Sequence, residues 1–193
     1  MRGSPSIENG RARAVSLPTA EAVAALMATC AVGLLAGLAA GSVRLGLGLA
    51  GHKALVWMAP LVAARLVFRS PIGASAGALA AALGTMAAGG HLAGAAMHLP
   101  VAVLAGGVLD VAVHVIERRR LGAAWAIPLM GLAGLAANLV MLGKRMLVPP
   151  LQVHYFLWTS GLAARCLSYA AFGLVAGLVG AGVGLVIARR RRV

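Results

Sequence analysis

The chain has 193 residues, of which 61% are hydrophobic and 11% charged, and its formal net charge is +13. A composition this apolar and this poor in aromatic residues excludes an ordinary soluble domain and indicates an integral membrane protein. The basic residues lie in short clusters between apolar segments rather than along one soluble face, so the charge does not indicate nucleic-acid binding. Cys30 and Cys166 lie inside apolar segments without a CxxC pairing, which predicts neither a disulfide framework nor a zinc site.

The first apolar segment follows a polar N-terminal tail, residues 1–19. Its uncharged run, 22–43, has 22 residues, whereas the apolar core of a secretory signal has about 7–15. The segment is therefore predicted to be a retained first helix over about 20–41. The small residues at its end, Leu38-Ala39-Ala40, are also compatible with a cleaved signal peptide.

The stretch 70–116 contains no lysine or arginine. It is long enough for two membrane crossings of about 20 residues each, so it is predicted to form a helical hairpin that turns at residues 89–91. Pro149 and Pro150 do not continue a helix, which makes 146–159 a loop or a short interfacial segment. In chain order, helices are predicted over about 20–41, 52–68, 71–88, 93–116, 123–143 and 166–188. The expected architecture is all-α, a six-helix transmembrane domain over 20–188 with a basic tail at 189–193.

Charge predicts the orientation of this bundle, because cytoplasmic connections retain lysine and arginine. With the N-terminus inside, twelve of the seventeen basic residues lie on the cytoplasmic side. An even number of helices then places both termini in the cytoplasm. The chain is expected to be a multi-pass protein of the cell (inner, cytoplasmic) membrane, surrounded by membrane lipid.

Small residues recur at every fourth position along the first predicted helix: Ala24 and Ala28, then Gly33, Gly37 and Gly41. Such spacing lets a second helix approach closely in lipid. Packing inside the bundle and contact with a partner subunit both explain it, and the sequence leaves the two open.

A second stripe with a spacing of four runs along the fourth predicted helix: Gly94, His98, Ala102, Gly106, Asp110 and His114. Ionisable side chains are costly in lipid, so the stripe is expected to face the bundle interior. Asp110 is predicted to form a structural ion pair with Arg118, Arg65 or Arg69. A proton relay through Asp110 and His114 is the alternative, although no relay partner is visible higher in the bundle.

Several polar and aromatic residues are predicted to meet at the outer side, and they come from the connections 1–2, 3–4 and 5–6 and the adjoining helix ends. Convergence of this kind suits a substrate pocket that opens to the outside. An aromatic belt with ordinary loop histidines is the alternative. No HxH or HxxxH pair occurs, so no metal site and no cofactor are predicted. The candidate substrate-binding residues are His52, His98, Asn138, Tyr155 and Trp158.

Residues 73–77 spell GxSxG, a pattern typical of hydrolase nucleophiles, and a rhomboid-like intramembrane serine protease is therefore a third hypothesis. The strand-to-helix turn of that motif is not predicted here. Only His114 is expected at the depth of Ser75, which is interpreted as a small packing residue. We therefore do not expect an enzyme.

The chain resembles an S component of an energy-coupling factor (ECF) transporter in its six predicted helices within 193 residues, its two cytoplasmic termini and its Ala24xxxAla28 spacing, and in the run ARLVFRSPIGASAGALAAALG followed by MHLPVAVLAGGVLD. The resemblance implies capture of a small molecule from outside and association with a transmembrane T component and two ATPase subunits. It also implies that Ala24 and Ala28 contact the T component. The N-terminal Met-His motif of the cobalt and nickel members is missing, which favours a vitamin-like substrate. Because no Walker motif is present, partners must supply the ATP-driven step.

A non-catalytic structural or accessory subunit of a larger membrane complex is the second hypothesis. Its basis is the abundance of small-residue faces, which suit close contact between helices. Co-purifying partners separate the two: a T component with ATPases favours the importer, and a redox or photosynthetic assembly favours the accessory subunit.

Overall fold

The computed structural model describes residues 19–42, 51–89, 95–147 and 161–191. Within these ranges every element is a helix and no strand is present, as the sequence predicts. The helices are α1 (Ala20–Ser42), α2 (Ala54–Phe68), α3 (Gly73–Gly89), α4 (Ala95–Arg119), α5 (Ala123–Leu147) and α6 (Leu162–Arg190). Helices α1, α4, α5 and α6 are long and apolar enough to cross a membrane, whereas α2 and α3, with 15 and 17 residues, are shorter.

Helix ends differ from the predicted ones by a few residues. Helix α6 begins at Leu162 rather than at 166 and so includes Arg165. A long arginine side chain carries its charge away from the helix axis, so an arginine does not by itself end an apolar helix. Pro71 lies in the turn before α3, where the backbone N–H of Gly73 donates to the carbonyl of Ser70 at 3.0 Å. The predicted hairpin turn at 89–91 lies mostly outside the described residues.

The short helix α2 is the centre of the bundle, since it contacts each of the other five helices. Nine of its fifteen residues are buried, among them Met58, Leu61 and Val62, which are fully enclosed. A helix surrounded on all sides is apolar around its whole circumference, as this one is apart from Arg65. That single buried arginine therefore needs a partner inside the bundle.

Glycine makes the contact between α1 and α3 close. A Cβ at Gly33 would meet the carbonyl of Gly77, and a Cβ at Gly37 would meet the backbone of Ala81. The hydroxyl of Thr85 also donates to the carbonyl of Gly37 at 3.1 Å. The glycine face of α1 therefore packs inside the bundle. Of the two alternatives that the sequence leaves open, packing inside the bundle applies to Gly33 and Gly37, rather than contact with a partner subunit.

Close small-residue contacts also join α6 to its neighbours. Gly173 lies against the carbonyl of Gly134 on α5, and Gly180 lies against the carbonyl of Ala59 on α2. Van der Waals contact between backbones drives helix association in lipid, where apolar side chains gain little by leaving the solvent. The glycine-rich composition is thus used mainly for helix packing.

The C-terminal ends of α2, α4 and α6 meet at one end of the bundle. Arg65 of α2 lies near Glu117 of α4, and the guanidinium of Arg191, just after α6, lies over the ring of Phe68 at 5.3 Å. We name this end the basic end. Its exposed arginines, all at or just beyond these three helix ends, are Arg69, Arg118, Arg119, Arg120, Arg189, Arg190 and Arg191.

Candidate functional site

A buried ion pair joins α2 to α4 near the basic end. The Nε of Arg65 donates to Oδ1 of Asp110 at 2.8 Å, and the two residues are 1% and 8% exposed. The Nη1 of Arg65 lies 3.7 Å from Oε1 of Glu117, which is too long for a hydrogen bond. A charge removed from water needs such a partner, because desolvation of an isolated charge costs more than the fold can supply.

The carboxylate of Asp110 also caps the N-terminus of α3. Its Oδ1 accepts from the backbone N–H of Ala74 at 3.0 Å, and its Oδ2 accepts from the N–H and from Oγ of Ser75, both at 2.8 Å. The first backbone N–H groups of a helix lack partners within the helix, and they carry the positive end of its dipole. Asp110 therefore satisfies donors from two helices at once and fixes α2, α3 and α4 to one another.

Two glycines make room for this ionic network. A Cβ at Gly106, one turn before Asp110, would lie 2.6 Å from Cα of Ser75. A Cβ at Gly73 would lie 3.1 Å from Cδ of Arg65. The glycines of the sequence pattern GxSxG thus serve close packing, and its serine serves the cap.

The predicted ion pair of Asp110 is confirmed, with Arg65 as its partner among the three candidates. The interpretation of Ser75 as a packing residue is wrong, because its hydroxyl and its N–H both bind Asp110. The expectation that only His114 matches the depth of Ser75 is also wrong, because Asp110 lies at that depth and binds Ser75. His114 is exposed, because a spacing of four drifts about 40° around the helix at each step. Ala102, Gly106 and Asp110 are buried, so the stripe faces inward only in its middle.

A second polar cluster joins the turn before α2 to α5 and α6, toward the end opposite the basic end. Nδ2 of Asn138 donates to the carbonyl of Tyr169 at 2.7 Å, and Gly51 packs against Tyr169. The ring of His52 meets Phe172 edge to face, with centroids 6.4 Å apart. The structure thus brings two candidate residues, His52 and Asn138, to neighbouring parts of α6. Tyr169 and Phe172 are not among the candidates predicted from the sequence, although Tyr169 precedes the close-packed Gly173 by one turn.

The remaining candidate residues are distributed differently. His98 is half-buried on α4, three turns before Asp110, Ala24 is exposed on α1, and Ala28 is half-buried there. Tyr155 and Trp158 lie outside the described residues. Among the residues the structure describes, no three His, Cys, Asp or Glu side chains lie together as a metal site would require.

Substitution of Asn138 by alanine is expected to lower the free energy of unfolding by about 1 kcal/mol, the usual worth of a hydrogen bond between membrane helices. Thermal or denaturant unfolding in detergent measures the change. Leu132→Ala is the control, because Leu132 lies on the same helix and its side chain is exposed. Equal losses in the two variants would show that the bond to Tyr169 does not stabilise the bundle.

These features define the class of the protein as an all-helical bundle of membrane-protein type, with an ionic network near its basic end and a polar cluster toward the other. Comparison of the chain with protein-family models, with curated proteins and with solved structures found no match.

Proposed function

We propose that the chain is the membrane-embedded substrate-binding subunit of an ECF-type importer that captures a small vitamin-like molecule. The observation that supports this most directly is the cluster of His52, in the turn before α2, with Asn138 of α5 and Tyr169 and Phe172 of α6, toward the end opposite the basic end. A ligand site in a helix bundle is built in this way, from apolar and aromatic walls with a few fixed polar groups.

The charge distribution supports the proposed orientation. Seven exposed arginines at one end of the bundle suit the cytoplasmic side, where positive charge is retained. The polar cluster then lies toward the outside, from which an importer takes its substrate. The T component and two ATPase subunits drive release, and the exposed Ala24 and half-buried Ala28 of α1 are the proposed contact with the T component.

The experiment is native mass spectrometry of the detergent-solubilised protein, which reports bound small molecules. His52→Ala, His98→Ala and Trp158→Ala are expected to reduce the retained ligand about tenfold or more, as loss of a polar or aromatic anchor does. His114→Ala is the matched control, because this histidine is exposed near the basic end. Unchanged retention in all three variants, or an equal loss in the control, would contradict the proposal.

A non-catalytic accessory subunit is the second candidate, and the open face of α1 favours it. Helix α1 packs against α2 and α3, and it leaves Met27 and Leu35 about two-thirds exposed. Co-purification in mild detergent distinguishes the candidates. A T component and ATPases support the importer, whereas a redox or photosynthetic assembly supports the accessory subunit.

A further inference from the structure

Carboxylate side chains are confined to one end of the described bundle. Asp110 and Glu117 lie near the basic end on α4, and Glu21 lies in the first turn of α1. Gly33 and Gly37 of α1 meet successive turns of α3 in the same chain order, so both helices begin at the basic end. The fourth acid of the sequence precedes α1 and lies outside the described residues. Among the described residues, the opposite end therefore carries no carboxylate side chain.

Basic residues are present at that opposite end. Lys53 is exposed in the turn before α2, and Arg165 is half-buried in the first turn of α6. Lys144 and Arg145 lie in the last turn of α5, which ends on the same side. Positive charge without acids nearby raises the local concentration of anions and repels cations. This end of the bundle is therefore suited to an anionic molecule rather than to a cation.

Arg165 lies on the face of α6 that carries the polar cluster. Tyr169 and Phe172 lie about 40° and about 20° from it around the helix axis, roughly one and two turns further along. Both of these aromatic residues contact the turn before α2. Leu167, by contrast, lies about 160° away from Arg165 around the axis, and it is 72% exposed. Arg165 is therefore on the side of α6 that belongs to the cluster and not on its exposed side.

The start of α6 places the charge of Arg165 at the rim of the cluster. Helical side chains tilt toward the N-terminus of their helix, and α6 begins at the end opposite the basic end. The side chain of Arg165 therefore extends from the cluster toward that end of the bundle. Lys53 directly follows His52 in the turn before α2. Two cationic side chains thus border the cluster on the side from which, in the proposed orientation, a substrate arrives.

We propose that the cluster binds a small molecule with a carboxylate or phosphate group, and that Arg165 binds that group. The inference rests on the proposed function and adds the charge class of the substrate. A guanidinium presents parallel N–H donors that match two oxygens of a carboxylate or phosphate. Lys53 adds a second positive charge. The rings of His52 and Phe172, with centroids 6.4 Å apart, contact the rest of the molecule.

An arginine near a helix end can also serve to reach the headgroups of the surrounding lipid. Such an arginine would lie on the exposed side of α6, with Leu167. Arg165 lies nearly opposite Leu167 and is half-buried, unlike the seven exposed arginines of the basic end. Its position beside the cluster therefore favours contact with a bound molecule.

The test is native mass spectrometry of the detergent-solubilised protein, with fragmentation of the molecule that it releases. That molecule is expected to contain a carboxylate or phosphate group. Arg165→Gln is expected to reduce its retention about tenfold or more, because hydrogen bonds between charged groups are lost. Arg165→Lys keeps the charge without the paired donors, so a loss of about threefold is expected. Lys53→Gln is expected to cause a loss of about threefold, as for an exposed charge.

Arg189→Gln is the matched control, because it removes the same charge from the same helix at the basic end. A loss below about twofold is expected there, as for a solvated surface charge. Thermal unfolding of both glutamine variants shows whether the bundle remains folded. Arg165→Lys carries the same test should Arg165→Gln not fold.

The outcomes separate this inference from the proposed function. A neutral or cationic molecule whose retention falls in His52→Ala but not in Arg165→Gln would overturn the inference and leave the proposed function in place. Phosphatidylglycerol lost from Arg165→Gln, with no small molecule in the wild type, would support the anion site and contradict the proposed function. Equal losses in Arg165→Gln and Arg189→Gln would overturn the inference. Wild-type protein that retains no molecule would overturn both.

Discussion

Alanine in place of Asp110 is expected to lower the free energy of unfolding by about 3–5 kcal/mol, because it leaves the buried guanidinium of Arg65 without its hydrogen-bonded counter-charge. The substitution also removes the acceptor for the N–H groups of Ala74 and Ser75 at the start of α3. Denaturant unfolding in detergent measures the loss. We expect the contacts among α2, α3 and α4 to weaken together, since the carboxylate on α4 binds both α2 and α3.

Substitution of Arg65, the partner of Asp110, tests the same ion pair more specifically. Arg65→Met is expected to cost less than Asp110→Ala, because Asp110 then still accepts three hydrogen bonds from α3. In Asp110→Ala, by contrast, Arg65 retains only the distant Glu117, at 3.7 Å. The reverse order of the two losses would show that the cap of α3 contributes little.

Glu117→Gln is the control for charge alone. The side chain of Glu117 is 46% exposed and does not hydrogen-bond Arg65. Loss of its charge is therefore expected to lower the free energy of unfolding by at most about 1 kcal/mol. A loss as large as that of Asp110→Ala would contradict the assignment of the stability to the buried pair.

The helices could be predicted from the sequence because a local sequence pattern determines where each of them lies. Charge-free apolar runs of sufficient length, separated by arginines and prolines, determine where membrane helices lie. The ends were less certain, since an arginine such as Arg165 can lie inside a helix and direct its charge outward. All six helices could therefore be predicted, whereas their ends are shifted by a few residues.

The partners within the ionic network could be predicted only in part. Because a buried charge is costly, Asp110 was expected to have a basic partner, and the sequence offered three equally suitable arginines. The rotation of α2 against α4 selects Arg65, and that rotation depends on the contacts of glycine and alanine across many residues. The role of Ser75 depends on the same geometry, since nothing local indicates that the start of α3 faces Asp110.

The exposure of His114 illustrates a limit of spacing patterns. A spacing of four describes one face over two or three turns, but the accumulated rotation carries the fourth member to another side. Asp110 is buried, and His114, one turn further, is exposed. A proton relay through these two residues would have to cross from the interior of the bundle to its surface. The ion pair between Asp110 and Arg65 needs no such crossing.

Gly106→Ala is expected to lower the free energy of unfolding by about 1–3 kcal/mol, the usual cost of inserting a methyl group into a filled contact. Its Cβ would lie 2.6 Å from Cα of Ser75, and backbone atoms cannot rotate away as a flexible side chain does. The start of α3 must therefore move, which lengthens the hydrogen bonds from Ala74 and Ser75 to Asp110. A change at a residue without a polar group thus weakens the ionic network.

The neighbouring glycine gives the matched control for this effect. A Cβ at Gly107 would meet only Oγ of Ser75, at 3.8 Å, an ordinary contact distance. Gly107→Ala lies in the same helix and gains the helix propensity of alanine, so it is expected to be neutral or to stabilise by up to about 1 kcal/mol. The opposite signs at adjacent positions follow from the face that each glycine occupies on α4. Equal effects would mean that α3 does not approach α4 as closely at Gly106 as the structure indicates.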